Sequence, residues 1–137
     1  MDIVDDLALI DLLCARDLPA EHGGTDAGMG GPGYRIVPLG PDDWESPDDC
    51  YAYEAAVAER LTARHGEPAR WGTATLGERM ARGEDISEPW ATLGALAYEL
   101  RAWEAKGTGR WVALAVADRD ADEQPRLWVA VTDVNPP

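Results

Sequence analysis

Two short runs constrain the fold of this 137-residue chain more than any other part of it: Trp111-Val112-Ala113-Leu114-Ala115-Val116 and Leu127-Trp128-Val129-Ala130-Val131. At the two-residue period of a strand, Trp111, Ala113, Ala115 and Ala117 share one face, and Val112, Leu114 and Val116 share the other. Both faces are apolar, so the strand needs cover on both sides or a central place in its sheet. Small alanines on one face leave room for a helix to come close. Residues 118–125 join the runs into an antiparallel hairpin.

The segment before the hairpin reads as its helix. Ser87 is placed to cap it, and Pro89 suits a first turn whose amides lack intrahelical partners. Trp90, Leu93, Ala97 and Leu100 recur at three- and four-residue spacing, Leu96 and Trp103 widen the same face, and Gly107 follows. The spacing predicts a helix over 88–105. A second helix, over 47–65, is signalled more fully. Ser46 caps it, Pro47 takes its first position, and Asp48 and Asp49 lie where the helix dipole favours acids. Cys50, Tyr53, Val57 and Leu61 form its apolar stripe, and Gly66 and Pro68 end it. Residues 34–39 read as a strand in which Pro38, lacking an N–H, marks an edge or an end. The expected fold is α+β: a small antiparallel sheet of about three strands, 34–39, 110–117 and 126–134, packed on the two main helices 47–65 and 88–105.

Residues 2–17 form a further helical candidate. Ile3, Val4, Leu7, Ile10 and Cys14 share a face, but Leu9, Leu12 and Leu13 fall outside it. Such a helix is covered on two sides or docked on a partner. Six glycines between residues 23 and 33 then form a connector that is costly to order. The expected organisation is an N-terminal helical segment over 1–18, a glycine-rich linker over 19–33, and a single α+β domain over 34–137. Docking of the helix on its own domain is the plain reading. The sharper one is assembly with another chain or a second copy through residues 2–17, using Ile3, Leu7 and Ile10.

Charge bounds the function. The chain carries 26 acidic and 12 basic residues, a net charge of −14, and only two of the basic residues precede Pro47. A field of this sign repels nucleic acid and anionic lipid and leaves basic proteins or cations as partners. Simple solubility is the plain reading of the acidity, and eleven Arg against one Lys, with no Phe, suggest a GC-rich genome, which weakens composition as a functional argument. The start, Met1-Asp2-Ile3-Val4-Asp5-Asp6, is acidic where a secretory signal is basic, and no long apolar run is present, so a cytoplasmic location off the membrane is expected. Cys14 and Cys50 lack the spacing of a metal or redox pair.

No catalytic set emerges. His22 lies among the glycines, His65 sits at a helix end, and Ser46 and Ser87 both read as caps. No phosphate loop, dinucleotide fingerprint or zinc motif occurs, so no cofactor or metal is expected. Asp118-Arg119-Asp120-Ala121-Asp122-Glu123 alternates like a calcium loop, but Glu123 stands where glycine is needed and Val129 where a bidentate glutamate belongs. Six tryptophans are many for this length, and Trp44 differs from the rest because Asp42, Asp43, Glu45, Asp48 and Asp49 surround it. It packs on its own helix or serves as an aromatic anchor in an acidic rim. The leading expectation is a non-enzymatic acidic binding protein that masks a basic protein surface through Asp42, Asp43, Trp44, Glu45, Asp48 and Asp49. It would act as immunity proteins, antitoxins and DNA mimics do. A structural subunit assembling through residues 2–17, and a small-ligand protein or enzyme with a pocket between sheet and helices, are the alternatives.

Overall fold

The computed structural model describes residues 3–18, 23–25, 28–41, 43–119 and 123–137. Among these residues, seven strands form one antiparallel sheet: β1 Gly23–Thr25, β2 Gly28–Gly31, β3 Tyr34–Leu39, β4 Ala69–Gly72, β5 Glu99–Ala105, β6 Arg110–Ala117 and β7 Arg126–Thr132, in the spatial order β1-β2-β3-β7-β6-β5-β4. Four helices among them cover it: α1 Ile3–Ala15, α2 Pro47–His65, α3 Ala74–Ala81 and α4 Trp90–Leu96. The class is α+β, but the three-stranded sheet on two main helices is too small. β3, β6 and β7 are its centre, and four further strands extend it on both sides. Gly23–Thr25 and Gly28–Gly31, within the stretch read as a linker, pair with one another, and the second pairs with β3.

The second correction concerns the helix expected over 88–105. The helical part stops at Leu96, Ala97 turns extended at φ −129° and ψ 154°, and Glu99–Ala105 becomes β5. The apolar residues of this stretch satisfy two periods at once. Leu100 and Ala102 face one side of the sheet and Trp103 and Ala105 the other, a two-residue alternation hidden inside the three- and four-residue spacing. Pairing with β4 on one side and β6 on the other decides between them.

Register explains the two apolar faces of the hairpin. Leu114 lies opposite Val129 and Ala113 opposite Ala130. The Val and Leu face, with Trp103 and Leu127, is covered by α1 and α2; the Ala face, with Ile36 and Leu100, is covered by α4 through Trp90 and Leu93 and by Leu76 of α3. Pro38 does not sit on an edge strand. β3 is internal, but its pairs with β2 end at Ile36, so the missing N–H at Pro38 falls beyond them.

An arginine at each end of β6 fastens a helix on each face. Arg110 Nη1 donates to Leu13 O at 2.9 Å, Cys14 O at 3.0 Å and also to Arg16 O, closing the end of α1, which has no basic residue of its own in its last turn. Arg119 Nε donates to Gly94 O and Ala97 O, both at 3.1 Å, at the end of α4. α1 is held further by Asp11, which takes both its carboxylate oxygens to Arg64, and by Asp6, which accepts from Gly40 N and the Tyr53 hydroxyl. Leu7 and Ile10 are buried in the same core as α2, and Ile3 packs against it. The three residues assigned to assembly therefore face the chain's own sheet. Among the described residues, no helix is long and apolar enough to cross a membrane.

Candidate functional site

The first half of α2 carries the candidate site. Ser46, extended at φ −147° and ψ 157°, accepts the Asp49 N–H, and Pro47 starts the helix, so Asp48 and Asp49 are fixed in its first turn. Cys50, Val57 and Leu61 turn to the sheet. At 100° per residue this sends Asp49, Ala52, Tyr53 and Ala56 to one flank and Tyr51, Glu54 and Ala55 to the other. Each flank borders a groove.

The first groove, about 680 Å³, lies between α2 and the preceding loop. Trp44 and Tyr53 form its floor, their rings 5.6 Å apart and inclined by 47°. Ala52 and Ala56 line the helix side, Pro41 the loop side, and Asp43, Glu45 and Asp49 the rim. Trp44 is only 4% exposed, so it is a core residue and not a protruding anchor. Its backbone N–H donates to Gln124 Oε1 at 3.2 Å. Gly40, at φ 75°, passes so close to the indole that a Cβ there would meet Trp44 Cζ2 at 2.7 Å. Asp43, Glu45, Asp48 and Asp49 are exposed and make no ion pair among the described residues. Asp42, the sixth member of the predicted set, lies outside the described residues.

The second groove, about 380 Å³, was missed by sequence reasoning. Tyr51, Glu54 and Ala55 face Tyr98, Glu99, Arg101, Val116 and Asp118 across it. Tyr51 and Tyr98, 42% and 58% exposed, are aromatics at its mouth. Their partners are internal. The Tyr51 hydroxyl donates to Asp118 Oδ2 at 2.8 Å, and desolvation together with this bond pushes its pKa up to about 12. Arg119 lies over the Tyr98 ring at 4.7 Å. Glu54 faces Arg101 at 3.8 Å, and Glu99 faces Arg70 at 2.7 Å. Burial raises the Glu54 carboxyl above its ordinary pKa in spite of Arg101. Tyr98 carried no usable signal, because the expected helix hid the strand that positions Glu99 and Arg101.

The other chemical candidates have structural partners. His65 Nδ1 accepts the Lys106 N–H at 3.2 Å, and burial lowers its pKa, in keeping with a neutral acceptor. Asp118 is committed to Tyr51 and to the Tyr98 N–H, while Asp120 and Asp122 of the calcium-like stretch, and His22, lie outside the described residues. Among the described residues, no group of three or more His, Cys, Asp and Glu side chains could hold a metal ion. Burial raises the thiol of Cys50 to about 11 and that of Cys14 above its usual value, so neither is an activated nucleophile. The indoles of Trp90, Trp103 and Trp111 donate to Val134 O, Thr62 Oγ1 and Asn135 Oδ1. The indole N–H of Trp44 is buried and finds no acceptor among the described residues.

Compared with protein-family models, with curated proteins and with solved structures, the chain finds no match.

Proposed function

We propose that this chain is a non-enzymatic, acidic binding module that covers a basic surface on a partner protein. It belongs to the physical class of immunity proteins, antitoxins and DNA mimics by analogy of charge alone. One observation carries the reading. Asp43, Glu45, Asp48 and Asp49 stand exposed without ion pairs among the described residues, whereas Asp11, Glu54, Glu84 and Glu99 are each met by an arginine. Four carboxylates concentrated around one helix start, in a chain of net charge −14, steer a positive partner to that end of α2. The test is binding to a folded basic protein at low and high salt, with an acidic protein of similar size as control. Affinity for the basic protein alone, falling with salt and falling again in Asp48→Asn/Asp49→Asn, is expected. Affinity indifferent to salt and to these substitutions would sink the reading.

A second reading rests on α1. Its inner face is buried, but Val4 and Leu12, 64% and 50% exposed, lie two helical turns apart with exposed Ala8 between them. This outer stripe, and not the inward Leu7 and Ile10, is where a second copy or a larger assembly would dock. Sedimentation of the intact chain beside Val4→Ser/Leu12→Ser separates the cases: a dimer lost in the variant supports assembly, and a monomer in both removes homo-oligomerisation.

A further inference from the structure

The groove over Trp44 has the composition of a receptor for one kind of side chain. We propose that it seats an arginine of the partner protein, which specifies the binding reading above and rests on it. The rim supplies charge: Asp43, Glu45 and Asp49 border the groove, and no basic side chain lines it among the described residues. The floor is aromatic, because Trp44 and Tyr53 line it as large, nearly buried rings held in place by Gly40 and by the Asp6–Tyr53 bond. A planar guanidinium suits both features, since it lies on aromatic faces and takes carboxylates in a two-pronged fork. Ala52 and Ala56, one turn apart with nothing beyond a methyl, leave a trough along which the aliphatic stem of an arginine can lie.

A second and independent observation points to a ligand here. Trp44 is 4% exposed, and its indole N–H meets no acceptor among the described residues, although the indoles of Trp90, Trp103 and Trp111 each have one. A buried donor left unpaired is costly, and an acceptor supplied by the partner would relieve that cost. One effect opposes the proposal: the start of α2 carries about half a positive charge from the helix dipole. Three carboxylates outweigh it. The opposite flank offers no such site, because Glu54 and Glu99 are already engaged by Arg101 and Arg70 and the Tyr98 ring by Arg119.

The six tryptophans make the test direct. Their indole N–H signals are followed by nitrogen–proton NMR of the full chain during titration with N-acetyl-arginine methylamide, with N-acetyl-citrulline methylamide as the uncharged isostere; Trp44→Phe assigns its signal. The arginine probe is expected to shift the Trp44 indole selectively, with the citrulline probe inert. Asp43→Asn and Glu45→Gln, both at exposed positions, are expected to weaken the arginine effect by about threefold each. Equal shifts from citrulline, no shift at Trp44, or indifference to both substitutions would overturn the proposal. The same samples are titrated with the folded basic protein. Salt-dependent binding of that protein with an unmoved Trp44 signal would refute the arginine site and leave the binding module standing. Failure of both titrations would remove the module itself.

Discussion

The two flanks of α2 use the same chemistry to opposite ends. On one, Glu54 and Glu99 meet arginines, Tyr51 meets Asp118, and polar groups from α2, β5 and the end of β6 close on one another. On the other, Asp43, Glu45 and Asp49 stand over a floor of Trp44 and Tyr53 with no countercharge among the described residues. Acidity at the first flank is fastening; at the second it is surface left available. A count of charges cannot separate the two, because only the placement of arginines on β4 and β5 does so.

The comparison breaks most easily at its floor. Trp44→Ala removes a buried ring from the core that α1 and α2 share and is expected to cost about 3–5 kcal/mol in chemical denaturation, while Tyr51→Ala on the opposite flank costs under about 1 kcal/mol. Equal costs would show that the exposed aromatic is as structural as the buried one. Gly40→Ala is next. It forces a side chain into a φ of 75° and drives a methyl against Trp44, so a loss of about 1–3 kcal/mol is expected, with a displaced Trp44 indole N–H signal by NMR.

Smaller effects sharpen the contrast in charge. Because Glu54 has a raised pKa in the fold, the folded chain holds its proton more tightly than the unfolded chain does. Stability therefore falls as pH climbs from the ordinary glutamate value of 4.5 through the raised one. Thermal melts across that window are expected to show Glu54→Gln gaining on the parent as pH rises; a gain that shrinks with pH would reverse the assignment. Smallest of all, Asp43→Asn/Glu45→Gln is expected to leave stability within about 0.5 kcal/mol, because these carboxylates make no ion pair among the described residues. A larger loss would mean that this flank too has hidden partners.

How much of this was legible beforehand depended on whether the signal was local. α2 announced itself through Ser46, Pro47 and Gly66, residues that act on their immediate neighbours. The central strands β3, β6 and β7 were legible for the same reason, through period and turn. β5 was not: Leu100, Ala102, Trp103 and Ala105 fit a helix as well as a strand, and the partners that decided the matter lie on β4 and β6, outside any local window. At the site, the exposed acids could be named from sequence, but the choice between a packed Trp44 and an anchor could not. Its burial needs Gly40, Tyr53 and Gln124 to converge, the last of them 80 residues away. The second groove stayed hidden because finding it required β5 first.

The order of strands has a further consequence, for the time course of folding. Among the described residues, β1 to β3 form one antiparallel strip and β4 to β6 another, and β7 joins them, pairing Ala130 with Ile36 on one side and with Ala113 on the other. Until residues 126–132 are in place, β3 and β6 each present an open edge with apolar side chains on both faces, the condition under which chains stick to one another. Contacts so distant along the chain are slow to form. During synthesis the two strips must therefore wait for a single late strand to make them one sheet.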